Sequence, residues 1–366
     1  MRICHICSNY DPFFENLMEK QLSKVDLRVF YFRAIERGKP DIEAPYLDVR
    51  LNYKNWTRIL FYLKEKHVLK DFYDLYSSHS FDILHAHTLF SNGYIAYKAN
   101  KRWGTPYIVA VRDVDLNVFF KYRYTLRELG LKILERAQKI VFLSSTYQSQ
   151  LFSNYIPIKV QEQIREKCVI IPNGINDFYL NNSYSKERNI NLDSLSILTV
   201  GYITKRKNQL AVCKAIQLLQ NEYGINAKYT IVGKVLDGKV MKKINKYSFV
   251  NYIPFLNQKE LIHEYRQADI YVMPSLTETF GLTYVEAMSQ GLPVIYSKGQ
   301  GFDNQFEEGM VGYHVRSKNV KEIAIRILDV IENYKEISRN CSHLSEKYNW
   351  SDISNEYIKI YKEIKG

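Results

Sequence analysis

The chain of 366 residues contains no run of the roughly 18–20 uninterrupted apolar residues that a membrane-spanning helix needs. Segments such as Ile59 to Leu63 and Tyr107 to Val111 run directly into charge. The start carries a short apolar stretch and then Ser8, Asn9 and Asp11, too little for the long apolar region of a secretion signal. These shortages predict a chain that does not cross a bilayer and works in the cytoplasm. Cysteine is scarce too: five residues, odd in number and mostly in apolar runs, read as reduced core thiols and not as a disulfide framework. Cys4 and Cys7 form a C-x-x-C, but inside a predicted strand, where a redox motif needs a helix start, and no second pair completes a zinc site. Fixed-period repeats and low-complexity tracts are also lacking.

What is present is an ordinary globular balance, 46% apolar and 25% charged residues, with 51 Lys plus Arg against 39 Asp plus Glu for a net charge of +12. Short β-rich runs alternate with longer amphipathic stretches along the whole chain, as repeated βα units do, so the fold class is α/β with parallel sheets. Predicted strands fall into two sets of six. The first set is Arg2 to Cys7, Leu27 to Phe32, Asp82 to Ala86, Tyr107 to Val111, Lys139 to Leu143 and Cys168 to Ile171. The second is Leu195 to Gly201, Lys228 to Gly233, Phe249 to Ile253, Asp269 to Met273, Pro293 to Tyr296 and Gly312 to Val315. Apolar periodicity lapses after Pro172-Asn173-Gly174-Ile175 and through the polar stretch Asn181 to Asp193, which places a domain boundary there. The expected organisation is an N-terminal Rossmann-like domain over 1–178, a second over 179–348 and a terminal helix over 349–366, with Ser351 as its N-cap. Doubly wound domains bind ligands at the carboxyl ends of their strands, so a facing pair creates one central cleft.

The stretch from Tyr271 to Ser297 carries the most chemistry. An apolar strand is followed by Pro274, Ser275, a loop holding Glu278, and then Phe280-Gly281 opening a helix whose apolar side includes Leu282, Val285 and Met288. The first amides of such a helix lack internal partners and carry partial positive charge, and Gly281 has no Cβ to keep a ligand away, so phosphate oxygens fit there. Glu286 lies roughly 7–8 Å further along the helix axis, far enough for the amides to hold a diphosphate while its carboxylate accepts from ribose hydroxyls. Glu278 projects toward whatever is attached beyond the phosphates. One ligand satisfying all three is a nucleoside diphosphate bearing a polar group such as a sugar. Earlier, Gly201 ends a strand, and the cations Lys205, Arg206 and Lys207 precede the next helix, where a cation reaches phosphate from the opposite side.

Pro274, Ser275, Glu278, Phe280, Gly281, Glu286, Ala287, Met288, Gly291, Pro293 and Val294 stand at the places of the two-glutamate hallmark of glycosyltransferase family 4, and the chain resembles these retaining GT-B enzymes. Gly201, Lys207 and Asn208 match the family's phosphate clamp, with Tyr202 at the position of its usual Arg and Arg206 or Lys205 as replacement charge. Gly233 is a further landmark. His85 and His87 look like the family's H-x-H strand end, and Asp115 matches the Asp of its H-G-x-D segment, whereas Arg112 stands where that segment has histidine. The resemblance implies a GT-B fold with the terminal helix packing back on the first domain. It implies donor binding by Gly201, Arg206, Lys207, Gly233, Glu278, Phe280, Gly281, Leu282 and Glu286, with Lys207 and Glu278 catalytic and His85, His87, Arg112 and Asp115 on the acceptor side. It further implies hexosyl transfer with retention from a nucleotide-diphosphate sugar to a glycan or polyprenyl-linked acceptor, in surface polysaccharide assembly, with no metal and no cofactor.

Three other readings compete, one of them another GT-B chemistry such as sugar epimerisation, which product analysis without added acceptor would separate. A noncatalytic partner in a glycan-assembly complex is suggested by Tyr202 and Arg112. Nucleic-acid binding is suggested by the net charge and 30 tyrosines, but the positive charge is dispersed and no recognition motif is present, so no nucleic-acid partner is expected. Basic and aromatic residues do interleave in Lys54 to Lys70 and Phe119 to Lys139, as in surfaces that rest on an anionic leaflet, so peripheral contact with an anionic membrane is a further expectation.

Overall fold

The computed structural model describes residues 1–185 and 190–366, so Lys186 to Asn189, inside the polar stretch expected at the domain boundary, lie outside the described residues. The chain divides into two compact units, Met1–Pro172 with Trp350–Gly366, and Asn173–Asn349. The division comes earlier than 178 because the short helix Asp177–Asn181 belongs with the second unit. There the Tyr179 carbonyl accepts from Gln290 Nε2 at 3.2 Å, and the Tyr179 ring packs edge-on against Tyr265.

The first unit is a parallel sheet of seven strands: β1 Arg2–Cys7, β2 Asp26–Ala34, β3 Leu47–Tyr53, β4 Ile83–Ala86, β5 Tyr107–Val111, β6 Lys139–Phe142 and β7 Cys168–Ile170, in the order β3-β2-β1-β4-β5-β6-β7. Helices cover both faces, which is why β1 and β5 are apolar at consecutive positions. Tyr107, Val109 and Val111 enter one core, Ile108 and Ala110 the other. Cys4 and Cys7 point into opposite cores, and none of the five cysteines is in a disulfide. The last helix begins at Trp350, one position before the expected cap, and lies on the second core through Trp350, Ile353, Tyr357 and Tyr361. Ser354 Oγ donates to the Lys20 carbonyl of the helix Pro12–Leu22, so the chain's end closes the face of its first unit.

The second unit holds six parallel strands: β8 Leu195–Val200, β9 Ala227–Val232, β10 Val250–Ile253, β11 Ile270–Val272, β12 Val294–Ser297 and β13 Gly312–Val315, in the order β10-β9-β8-β11-β12-β13. Strand order reverses between β8 and β11, and at such a switch point the two following loops diverge and leave a crevice at the carboxyl ends. In the first unit the reversal lies between β1 and β4. Both sheets have the two-layer helix cover and winding of Rossmann-like domains, the GT-B architecture. Among the described residues no helix is long and apolar enough to cross a membrane.

Candidate functional site

The loops that leave β8 and β11 are stitched together. Leu276 N donates to the Arg206 carbonyl at 2.7 Å, Asn208 Nδ2 to the Pro274 carbonyl at 2.9 Å, and Arg206 Nη1 to the Thr277 carbonyl at 2.8 Å. Asn208 takes a left-handed backbone (φ 61°), which asparagine tolerates better than most residues, and so turns the chain into the helix Gln209–Tyr223. Between the joined loops the Lys207 ammonium meets the Glu278 carboxylate, Nζ to Oε2 2.6 Å, with both residues buried. Ser275 Oγ donates to the same oxygen at 3.2 Å, and Arg206 Nη1 stands 3.6 Å away. The Glu278 backbone is fixed from the loop after β12, its N–H donating to Gln300 Oε1 and its carbonyl accepting from Gly301 N. Nothing in the spacing of the sequence pointed to Gln300 and Gly301.

A cavity of about 700 Å³ opens beside this pair, lined by Gly201, Tyr202, Arg206, Lys207, Gly233 and Lys234 on one side and by Tyr252, Phe255, Leu256 and Thr283 on another. Gly201 and Gly233 are needed for its floor. A Cβ on Gly233 (φ 147°) would lie 2.3 Å from the Gly201 carbonyl oxygen, and the Lys207 stem runs against Gly201. We expect Gly233→Ala to lower the melting free energy of this unit by about 2 kcal/mol and to displace Lys207, measurable as lost protection of the β8 and β9 amides in hydrogen exchange. Gly281 (φ 81°) caps the helix Leu282–Ser289 in a left-handed conformation, and Thr283, in its first turn, faces the cavity. Glu286 follows Thr283 by three residues and shares its side of the helix. Tyr265 OH donates to Glu286 Oε2 at 2.9 Å. Burial pushes the Glu286 carboxyl up to about 7, against the Tyr265 hydrogen bond that favours the ion. Lys207, Glu278, Gly281, Leu282 and Glu286 thus come from one pair of joined loops and one helix. Phe280 is buried and serves as a wedge, its ring against Phe302 and Tyr348.

The family model described as Glycosyltransferase Family 4 matches residues 18–177, and the one described as Glycosyl transferases group 1 matches residues 181–347. The chain belongs to glycosyltransferase family 4. An uncharacterized glycosyltransferase of Methanocaldococcus jannaschii is 25% identical over 309 residues, 80% of this chain and 78% of the relative. Among solved structures, sucrose-phosphate synthase from Thermosynechococcus elongatus superposes with a TM-score of 0.77 at 18% identity, over 99% of this chain and 98% of that one. Anabaena HepE in complex with UDP-glucose gives 0.70 at 16%, over 99% and 100%.

In this family 4 glycosyltransferase the four residues expected on the acceptor side divide sharply. Asp115 is fully buried and accepts from the N–H groups of Leu89, Phe90 and Arg112 at 3.0, 3.3 and 2.8 Å. Burial raises its carboxyl to about 6 against those three donors. Its role in the structure is to tie the loop after β4 to the loop after β5. His85 and His87 are buried as well, in a cluster with His5. His5 Nε2 lies 3.0 Å from Gln21 Oε1, His5 Nδ1 2.9 Å from His87 Nε2, and His85 Nδ1 2.6 Å from Tyr361 OH on the terminal helix. Because an amide oxygen only accepts, His5 Nε2 carries a proton and its Nδ1 accepts from His87. Internal pairing therefore takes both nitrogens of His5 and one nitrogen each of His85 and His87, while His85 Nε2 and His87 Nδ1 are buried and make no hydrogen bond. The resemblance puts these two histidines on the acceptor side, and in the structure both are buried, His85 beside Tyr361 of the terminal helix. Arg112 is only partly buried, with Nε 3.3 Å from the His87 carbonyl.

Proposed function

We propose that the chain transfers a hexosyl unit from a nucleotide-diphosphate sugar to a glycan or polyprenyl-linked acceptor, with retention of anomeric configuration and without a metal ion or cofactor, in surface polysaccharide assembly on the cytoplasmic side of the membrane. The observation that carries this reading is the Lys207–Glu278 pair at 2.6 Å beside a cavity whose floor is two glycines and whose wall is the start of a helix. A diphosphate along Gly201 and Gly281 meets the Lys207 ammonium and the first amides of the helix Leu282–Ser289, and Arg206 supplies the second charge from the turn that Tyr202 opens. Glu286 accepts from the ribose. As the bond from the anomeric carbon to the phosphate oxygen breaks, the acceptor hydroxyl forms the new bond on the same face and its proton passes to that phosphate oxygen. The electron pair stays on the diphosphate, whose growing charge Lys207 and the amides stabilise. Glu278 holds Lys207 in place and faces the sugar. Arg112 offers a cation for a phosphate on the acceptor.

Thermal melting with UDP, GDP, ADP and CDP and their hexose conjugates tests the donor site, since a ligand that favours the folded state raises the midpoint by mass action. One nucleotide series should raise it. Binding should also strengthen roughly tenfold from pH 6 to pH 8, because a carboxyl with a value near 7 is mostly protonated at the lower pH and ionised at the higher. Glu286→Gln should flatten that profile. The donor assignment fails if no nucleotide shifts the midpoint. Binding without transfer or hydrolysis selects the noncatalytic subunit that Tyr202 and Arg112 suggest.

A further inference from the structure

Large apolar side chains are unusually exposed in one place on the first unit, on residues outside the donor site. Ile59 is 77% exposed, Tyr124 66%, Tyr122 64% and Tyr62 56%, and with Leu60 and Leu63 they line one shallow concavity of about 690 Å³. Trp56, 57% exposed, lies in the short helix Asn55–Arg58 just before Ile59. The two contributing segments are held in register by Arg123, whose guanidinium donates to the Arg58 carbonyl at 3.1 Å and to the Ile59 carbonyl at 3.5 Å, and by the edge contact of Phe61 with Phe119. Water-facing aromatics on a fixed frame are costly to leave uncovered and mark a surface that meets something apolar.

Charge identifies what that is. Across residues 54–70 and 114–127 the acids are Glu65 and Asp115, and both are fully buried. Lys54, Arg58, Lys66, Lys70 and Lys121 are exposed, and exposed Glu36, accepting from Asn55 N at 3.0 Å, and Glu128, paired with Lys132, stand beside them, so this face carries an excess of cations around a Tyr and Trp centre. A protein partner's apolar patch would satisfy the centre and leave the ring of cations unmatched. An anionic bilayer satisfies both, because aromatic rings settle at the headgroup level and each nearby Lys or Arg gains from the negative surface potential. We propose that residues 54–63 and 118–124 form a docking surface for an anionic lipid leaflet, which holds the enzyme where lipid-linked acceptors are found. The surface stands on residues separate from the donor site and holds whether or not the proposed transfer reaction does.

The full-length protein should float with phosphatidylglycerol-containing vesicles and bind them at least roughly tenfold more tightly than phosphatidylcholine vesicles, with the difference falling as salt is raised. Trp56 emission should shift to the blue on binding, and Trp56→Phe should remove the shift, since Trp103 and Trp350 pack into the cores. Lys54→Glu, Arg58→Glu, Lys66→Glu and Lys121→Glu together should abolish flotation with melting and nucleotide binding unchanged. Tyr122→Ser with Tyr124→Ser should weaken it by a similar factor. Equal binding to both vesicles, no binding, or a concentration-dependent dimer that the tyrosine substitutions dissolve would each overturn the proposal, the last by showing that a second copy covers the patch.

Discussion

Lys207→Ala should lower kcat by roughly 10²–10³-fold, the usual consequence of removing one preorganised donor from developing negative charge. The size follows from where the ammonium sits. It is buried, 2.6 Å from a carboxylate and against the bare backbone of Gly201, so its field is not shared with bulk water. Lys207→Arg should not restore the rate, because a planar guanidinium is too broad for a slot whose wall is the Gly201 backbone. A purely structural account predicts something different. If Lys207 only neutralised Glu278, then Glu278→Gln would make the lysine dispensable, and Lys207→Ala with Glu278→Gln would recover activity lost in Lys207→Ala alone. A lysine acting on the diphosphate leaves the double variant as slow as the single one. Steady-state kinetics on the four proteins of this cycle decide, and recovery in the double variant would sink the catalytic assignment.

That pair was visible in the sequence as two motifs 71 residues apart, and what made it legible was local. A strand followed by Pro274-Ser275, a carboxylate and a Gly-capped helix dictates where each group sits relative to its own strand end. The two strands proved adjacent at the sheet's switch point, which the βα alternation implies but no short pattern states. The partners that came from a third loop were invisible. Gln300 and Gly301 hold Glu278 from the turn after β12, and no spacing rule connects them to it. Strand β3 was missed for another reason: Leu47–Tyr53 alternates apolar residues with Asp48, Arg50 and Asn52, and it is a half-buried edge strand, without the continuous apolar run that marked the others. His85, His87 and Asp115 were correctly seen at strand ends and in the loop after. Their burial depends on Tyr361 and on the backbone amides of Leu89 and Phe90, tertiary partners that only the folded chain supplies.

Those buried histidines should make the first unit acid-sensitive. Burial pulls His5 down to about 3 and holds His85 and His87 well below the ordinary imidazole value, with the neighbouring rings and Arg112 adding repulsion against a second charge. In the unfolded chain each titrates near about 6.5. Below that pH the unfolded state binds protons that the folded state does not, so stability is complete above about 7.5 and falls as pH drops. The three groups act in the same direction, so the fall below pH 6.5 is steeper than one histidine alone would give. Asp115 works in the opposite sense, since its raised carboxyl value lets the folded state take a proton first as pH falls, and this offsets part of the loss. Replacing one ring isolates the effect. His85→Asn keeps a polar atom near Tyr361 OH and removes one titrating group, so whatever it costs at pH 8, its slope between pH 6 and 5 should be shallower than that of the native chain. Opening free energies from hydrogen exchange at the β1 and β4 amides report this unit directly. Parallel pH dependences for the variant and the native chain would mean that the cluster is already charged in the fold, and its place beneath the terminal helix would then need a buried anion to explain it.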